Sequence, residues 1–166
     1  MIGLERVPRR VRLGAACLVQ LALLGAVLSP QLSARVAGDE YRMAVEPVDP
    51  IDPFRGAYVV LGYPDLPLQM TDDSTVRPTG TVYVPLEQQD GTGLWEGGEP
   101  AKTRPSDGPY LRCEVEWLLR CGIESLFASQ DDARRLEQEL ADGAVATVRI
   151  DDRGNAALMG IEPTSR

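Results

Sequence analysis

An apolar run near the N-terminus divides the chain into two parts that need different surroundings. The run at 13–28 is interrupted by one strongly polar residue, Gln20, and four arginines precede it within the first 12 residues. A helix of that length spans about 24 Å, and extending it to Leu32 brings it within range of the roughly 30 Å hydrocarbon core of a bilayer. The pattern therefore predicts a basic cytoplasmic segment at 1–12 and a transmembrane signal anchor at 13–32.

Two alternatives remain for this anchor, retention or cleavage. Signal peptidase needs small residues before its cut, but Ala34 has bulky Leu32 at the −3 position and a cut after Ser29 would face Pro30. Retention is therefore favoured. Because basic residues precede the run and the first stretch after it is acidic, we expect a single-pass cell-membrane protein with a cytoplasmic N-terminus and an extracytoplasmic C-terminal domain.

Charge and composition argue against several classes of function. After residue 12 the chain holds 13 basic and 24 acidic residues, a net charge of −11. Nucleic acid and anionic lipid surfaces would repel such a domain, so we expect no nucleic-acid partner and lipid contact through the N-terminal helix. The chain has no histidine, which removes the usual general base and the commonest zinc ligand. We therefore predict no metal and no cofactor, and we assign no catalytic residue.

A series of prolines leads into the first predicted strand of the domain. Three prolines recur at every third residue: Pro47, Pro50 and Pro53. Each fixes φ and lacks a backbone donor, so 48–53 is predicted as an extended approach and not as a helix or a central strand. Gly56 can adopt a positive φ and close a turn, and the Val- and Tyr-rich segment 57–63 is predicted as a strand. These patterns indicate a connector at 33–46 and a folded domain at 47–166.

Alternating apolar and polar residues predict the remaining strands. Three further segments carry this period of two: 79–86, 110–127 (as a strand pair) and 144–161 (as a hairpin). Asp90 and Gly91 are a hairpin-type turn signal, and Trp95 is expected to anchor the returning chain. The segment 151–155 is expected to be a plain turn, because it lacks the ligand spacing and the closing Glu of a calcium loop.

One helix is predicted inside the domain, at 129–140. Ser129 suits the N-cap position, Asp132 lies at the spacing of a capping box, and Gly143 fits a C-terminal stop. The whole pattern predicts a mainly β (α+β) fold. We expect about six antiparallel strands in a small barrel or sandwich, with one helix, behind an N-terminal transmembrane helix.

Two of the three cysteines fall at facing positions of one predicted hairpin. A tight turn near 116–118 would place Cys113 opposite Cys121, and an oxidising compartment would allow a disulfide between them. Two buried thiols are an equally good alternative, because disulfide geometry is demanding. Cys17 lies within the apolar run and is predicted to be a small apolar helix residue.

The stretch around the first strand resembles the GDYXXLXY family of small bacterial proteins. The resemblance is carried by 56–63, Gly-Ala-Tyr-Val-Val-Leu-Gly-Tyr, by its lead-in at 49–55, and by matches at 81–86, 121–124 and 153–156. The motif residues, expected to have a structural or binding role, are Asp49, Asp52, Arg55, Gly56, Tyr58, Leu61 and Tyr63. The family implies a membrane-attached extracytoplasmic domain of unassigned function, often encoded near multi-pass membrane proteins. Ala57 stands where the family motif has Asp.

Two functions from different classes are compatible with these features. The first is a membrane-anchored extracytoplasmic interaction or accessory module, with a multi-pass membrane protein as its partner. The alternative is a carboxylate-based hydrolase-like enzyme at the cell envelope that uses Asp49, Asp52 or Glu124. Capping of proline-containing turns, with Asp52 paired to Arg55, is the simpler interpretation of the two aspartates. The balance leans away from an enzyme.

Overall fold

One long helix leads into the folded part of the chain. The structure is a computed structural model that describes residues 8–49, 58–67, 79–116, 119–127 and 143–164. Helix α1 spans Arg9–Ala37, so it begins before and ends after the predicted anchor at 13–32. Its large apolar side chains are exposed, and an 18-residue window has a mean hydropathy of 2.0 with no buried residue. The helix is long and apolar enough to cross a membrane, a property that anchors share with signal sequences.

Nine antiparallel strands form two sheets in the described part of the chain. They are β1 (Asp39–Asp49), β2 (Tyr58–Gly62), β3 (Gly80–Gln88), β4 (Trp95–Gly97), β5 (Tyr110–Val115), β6 (Leu119–Arg120), β7 (Ser125–Phe127), β8 (Ala144–Ile150) and β9 (Ala156–Pro163). The first sheet has five strands in the spatial order β7-β2-β1-β8-β9, and the second has four in the order β4-β3-β5-β6.

Residues from both sheets fill one core. Met43 and Val45 of β1, Val82 and Val84 of β3, and Leu111 of β5 are each at most 1% exposed and belong to the same cluster. The core is largely aliphatic, as the scarcity of aromatic residues predicts, because only 5% of the chain is aromatic. Two antiparallel sheets over a shared core give a mainly β fold, so the predicted fold class is confirmed.

The segment 33–46 is not a connector, and this prediction is corrected. Helix α1 continues to Ala37, and β1 then runs between β2 and β8 at the centre of its sheet. Buried Met43 and Val45 alternate with more exposed neighbours, which is the period of a strand with one face in the core. The interpretation of the prolines is also corrected: β1 continues past Pro47, which pairs with Leu61 of β2, and the register of this pair shifts between Pro47 and Asp49.

Three predicted hairpins are present. β3 pairs with β4 on either side of Asp90 and Gly91, and Trp95 packs against the core. β5 pairs with β6, which brings Val115 opposite Leu119. β8 pairs with β9 around 151–155, and hydrogen bonds within that segment make it a turn, as predicted.

β7, like β1, was not predicted as a strand of its own, and one predicted helix lies outside the described residues. Within the segment predicted as a strand pair, β7 leaves the four-stranded sheet and pairs with β2 in the other sheet. Three residues are too few to show a period, so the sequence carries no signal for this crossing. The helix predicted at 129–140 and the motif residues at 50–57 lie outside the described part of the chain.

Candidate functional site

The motif strand β2 is fixed to the loop that precedes β7. Leu61 and Tyr63 are each 3% exposed. The Leu61 N–H donates to the Glu124 carbonyl at 2.9 Å, and the Tyr63 hydroxyl donates to the Ile123 carbonyl at 2.8 Å. Burial, and secondarily the Glu124 carboxylate, raises the pKa of Tyr63 above its ordinary value. Tyr63 is therefore a neutral, buried hydrogen-bond donor, and these two motif residues hold the strand in place.

The other motif residues fall into two groups. Asp49 lies at the end of β1 and Tyr58 at the start of β2, each at a position that pairs across the sheet. Asp52, Arg55 and Gly56 lie outside the described residues, so the roles predicted for them stay predictions.

Glu124, a candidate for carboxylate chemistry, caps the turn at 121–124. One carboxylate oxygen accepts the Cys121 N–H, and the two oxygens lie 3.2 and 3.0 Å from the Gly122 nitrogen. Gly122 has a φ of 84°, which a residue with a side chain adopts only under strain. Both oxygens of Glu124 are thus used to stabilise a glycine-dependent turn.

A disulfide joins β5 to the residue that follows β6. Glu114 pairs with Arg120, so the next facing positions along the hairpin are Cys113 and Cys121. The structure joins these two cysteines, with Cα atoms 4.2 Å apart, which is the first of the two alternatives that the sequence leaves open. Both lie in the core, whereas Cys17 is exposed on α1. The disulfide fixes the hairpin immediately before the turn capped by Glu124.

The β8–β9 turn is organised by one buried carboxylate. Asp151 is 6% exposed and accepts hydrogen bonds at 2.9 Å from the Arg153 N–H, the Asn155 N–H and the Asn155 side-chain amide. Burial alone would raise the pKa of Asp151, but these bonds and one from the Ser33 hydroxyl outweigh it, so the pKa lies below its ordinary value. The ionised carboxylate therefore holds the turn and reaches the helix.

The last turns of α1, residues 31–38, dock onto this hairpin and are called the helix base. The Ser33 hydroxyl lies beside the Asp151 carboxylate and lowers its pKa, and the Arg149 Nη1 atom donates to the Arg35 carbonyl oxygen at 2.6 Å. The latter bond caps a carbonyl in the final turn of α1, where the helix itself supplies no donor. Ser33 on the helix and Arg149 on β8 thus provide polar contacts between the helix base and the hairpin.

Small residues allow the helix base to approach the sheet closely. Ala34 is fully buried, and a Cβ atom at Gly38 would lie 2.5 Å from the Ala34 carbonyl oxygen and 2.8 Å from the Ile150 nitrogen. Ala157 is also fully buried. Its neighbours in β9 point into the core, so strand alternation places Ala157 on the opposite, outer face of the sheet. Because α1 packs against both β8 and β9, it covers this outer face.

A cleft of about 570 Å³ lies beside the helix base. Asp39, Tyr41, Arg104, Tyr110 and Asp152 are among its lining residues. The Arg104 guanidinium lies 5.1 Å from the centre of the Tyr110 ring, and both side chains donate to the Asp152 carbonyl oxygen, at 2.7 and 2.9 Å. The side chains of Arg104 and Tyr110 are therefore already held in position in one wall of the cleft, and such pre-organisation favours binding.

The two carboxylates with the clearest geometry have structural roles. The oxygens of Glu124 and Asp151 are engaged by hydrogen bonds within their own turns. A general acid or base must exchange its proton with a bound molecule, and neither carboxylate is free to do so. The arrangement supports docking of a helix on a rigid hairpin.

Sequence reasoning missed the helix base. Asp151 carries a local signal, because an Asp that begins a turn often bonds the backbone that follows it. Arg149 and Gly38 carry none, because their contacts are with residues far away in the chain; Arg149 and Arg35 are 114 positions apart.

Comparison with known proteins gives one match. A family model described as GDYXXLXY protein matches residues 20–161, which is most of the chain. No curated protein and no solved structure matches it. The matched range includes both the motif strand β2 and the helix base.

Proposed function

The chain belongs to the GDYXXLXY family, and we propose that it is a single-pass membrane protein whose β domain acts outside the cytoplasm. In this role the domain is an interaction or accessory module of an integral membrane protein complex. The main observation behind the proposal is that α1 is apolar and exposed along most of its length, while its last turns pack against the β8–β9 hairpin.

The apolar surface of α1 requires a nonpolar cover. Large side chains are exposed all along the helix, with Leu18 at 69%, Leu21 at 64% and Val27 at 75%. Soluble proteins rarely leave such a surface open to water. The 13–32 segment spans about 30 Å, the thickness of the hydrocarbon core, and Arg12 precedes it at the end expected in the cytoplasm.

The helix base then sets the position of the domain relative to the bilayer. If 13–32 fills the hydrocarbon core, the helix base begins at the edge of that core and continues into the level of the lipid headgroups. The docking contacts of Ala34 and Gly38 leave no flexible stalk between membrane and domain. A domain held in one orientation can present a fixed face to a neighbouring membrane protein, which a tethered domain cannot do.

The Cys113–Cys121 bond supports the proposed side of the membrane. Disulfides persist in oxidising compartments and are rare in the cytoplasm. A closed structural disulfide in the core of the domain is therefore typical of an extracytoplasmic position.

The hydrolase alternative draws no support from the described carboxylates. Glu124 is engaged as a turn cap, and its neighbour Tyr63 is a buried donor to a backbone carbonyl. Of the other two candidates, Asp52 lies outside the described residues, and the position of Asp49 is given by its backbone pairing alone.

Topology is tested by cysteine labelling of the full chain in a Cys17→Ala background. Lys102→Cys, in an exposed loop, should react with a membrane-impermeant thiol reagent on intact cells, and Arg9→Cys should react only after permeabilisation. The chain should also stay in the membrane through an alkaline wash and keep its first residues. Reversed labelling, or release of a shortened chain, would contradict the proposal.

The accessory role is tested by crosslinking in native membranes followed by identification of the partner. We expect a multi-pass membrane protein to be recovered with the wild type and lost when four glycines are inserted after Gly38. The matched control places the same insertion in the exposed turn at 90–93, far along the chain from the helix base. Recovery of no membrane protein would count against the role.

A further inference from the structure

A second, smaller cleft lies between α1 and the four-stranded sheet. Its volume is about 290 Å³, and its walls include Pro30, Gln31, Arg112, Arg120 and Gly122. The helix forms one side, and the Gln31 side-chain amide reaches across to within 3.5 Å of the Gly122 carbonyl oxygen. Gln31 of the helix base thus contacts the opposite wall of the cleft.

Strand alternation places the charged residues of the cleft on one face. Cys113 and Val115 of β5 point into the core, so their neighbours Arg112 and Glu114 point outward. Arg120 pairs directly with Glu114 across the hairpin and is exposed as well. The two arginines are therefore diagonal neighbours on the outer face, a spacing that long side chains can bridge.

The backbone beneath these side chains is firmly held. The Arg112 N–H donates to the Gly154 carbonyl at 2.8 Å, which joins β5 to the β8–β9 turn. The disulfide joins β5 to Cys121, the residue directly after Arg120. The backbone that carries the two arginines is thus already fixed, so little backbone ordering is needed when a ligand binds.

The cleft is positive within an acidic domain. Its charged residues are two arginines and Glu114. That carboxylate is already shared: it accepts the Thr81 hydroxyl at 2.6 Å and lies 3.8 Å from the Arg112 guanidinium. Arg120 adds a cation beyond this pair. The net charge of −11 after residue 12 disfavours general adsorption to anionic surfaces, but it does not describe this local site.

The height of the cleft follows from the helix. Arg12 and Pro30 are separated by about 27 Å along α1, close to the thickness of the hydrocarbon core. If α1 spans the membrane, as the proposed function requires, the cleft lies where the hydrocarbon core meets the headgroups on the side of the domain. Acyl chains of a lipid bound there would lie along the exposed apolar face of the helix.

We propose that this cleft binds the phosphate headgroup of an anionic phospholipid from the leaflet beside the domain. Guanidinium groups match the geometry of phosphate oxygens and bond them in pairs. A lipid in this position would lie between helix and sheet and would contact both.

The test uses the full chain in nanodiscs of mixed phosphatidylglycerol and phosphatidylcholine, with bound lipid counted by native mass spectrometry. We expect phosphatidylglycerol to be retained about fivefold over its share in the disc. Arg112→Gln with Arg120→Gln should remove this enrichment. Arg42→Gln with Lys102→Gln removes the same charge from exposed positions outside the cleft and should keep it. Thermal unfolding of each variant confirms that it is folded.

The outcomes separate this inference from the proposed function. A chain that does not enter the discs would overturn the membrane-spanning role itself. A chain that enters them but shows no enrichment, or loses it equally in both double variants, would overturn the lipid site alone. Excess inorganic phosphate is added in a parallel arm: unchanged enrichment supports a lipid, whereas full displacement would assign the cleft to free phosphate and overturn the proposal.

Discussion

The two ends of α1 meet different surroundings, although they belong to one continuous helix. The part at 9–28 exposes large aliphatic side chains, such as Leu18 at 69% and Leu24 at 59%. The helix base carries small residues on its docked side, and Ala34 is fully buried there. Large exposed apolar residues suit a nonpolar surrounding such as lipid, and small ones allow backbones to approach. The change from one to the other marks where the helix leaves its proposed bilayer and joins the domain.

The largest expected effect on stability comes from replacing a glycine in the helix base, because a side chain has room in the exposed part of α1 but not in the base. Gly38→Ala should destabilise the domain by about 3 kcal/mol, since the new Cβ atom would meet backbone atoms of Ala34 and Ile150 that cannot rotate away. Gly25→Ala, which has nothing within 4 Å, should cause no loss and a gain of up to about 1 kcal/mol. Denaturant unfolding in detergent micelles measures both. Equal effects would mean that the base is not docked.

The carboxylate under the helix base should matter next. Asp151→Ala should cost about 2 kcal/mol, because three N–H groups of the turn and the Ser33 hydroxyl lose their acceptor. The adjacent Asp152→Ala removes an exposed carboxylate and should change stability by about 0.5 kcal/mol or less. The same unfolding measurement applies. A loss at position 152 as large as that at 151 would contradict the structural role of the turn.

The same carboxylate predicts a pH dependence of the docked end. The pKa of Asp151 is lower in the folded protein than the value of about 3.9 in an unfolded chain, so its ionised form stabilises the fold. This contribution is complete above that unfolded value and is lost as the pH falls through the folded one. The stability difference between wild type and Asp151→Asn should therefore narrow from pH 7 towards pH 3. A difference that stays constant would exclude the ionised form as the cause.

The smallest effect concerns two serines on the same helix. Ser33→Ala should cost up to about 1 kcal/mol, because its hydroxyl lies beside the Asp151 carboxylate and favours the ionised form. Ser29→Ala should be neutral or slightly stabilising, because its hydroxyl bonds the Ala26 carbonyl within α1 and alanine is the better helix former. If Ser33→Ala is equally neutral, the bond to the hairpin contributes nothing to docking.

Local patterns in the sequence were sufficient for the hairpins and insufficient for the centre of the sheet. The β8–β9 and β5–β6 pairs join strands that are close in sequence, so alternation and a turn predict them together. β1 has the same alternation at Met43 and Val45, but the prolines that follow led to a connector and an extended approach. Its central position depends on β8, about a hundred residues later, and such pairing leaves no local signal.

The candidate site shows the same division. The facing of Cys113 and Cys121 was predictable, because one hairpin contains both cysteines. The helix base was not, because the approach of Gly38 to Ile150 and the bond between Ser33 and Asp151 appear only after the sheet has formed. The net charge of the domain is also a sum over its whole surface, so it could not predict a cleft that is lined by both Arg112 and Arg120.

The most direct test of the account is a distance measured across the helix base. Spin labels are placed at Leu28→Cys on the exposed helix and at Lys102→Cys in the domain, in a Cys17→Ala chain reconstituted in nanodiscs, and the dipolar coupling is recorded. A docked helix predicts one narrow distance distribution, which should broaden when four glycines are inserted after Gly38. A distribution that is already broad without the insertion, and unchanged by it, would contradict a domain that is fixed to α1.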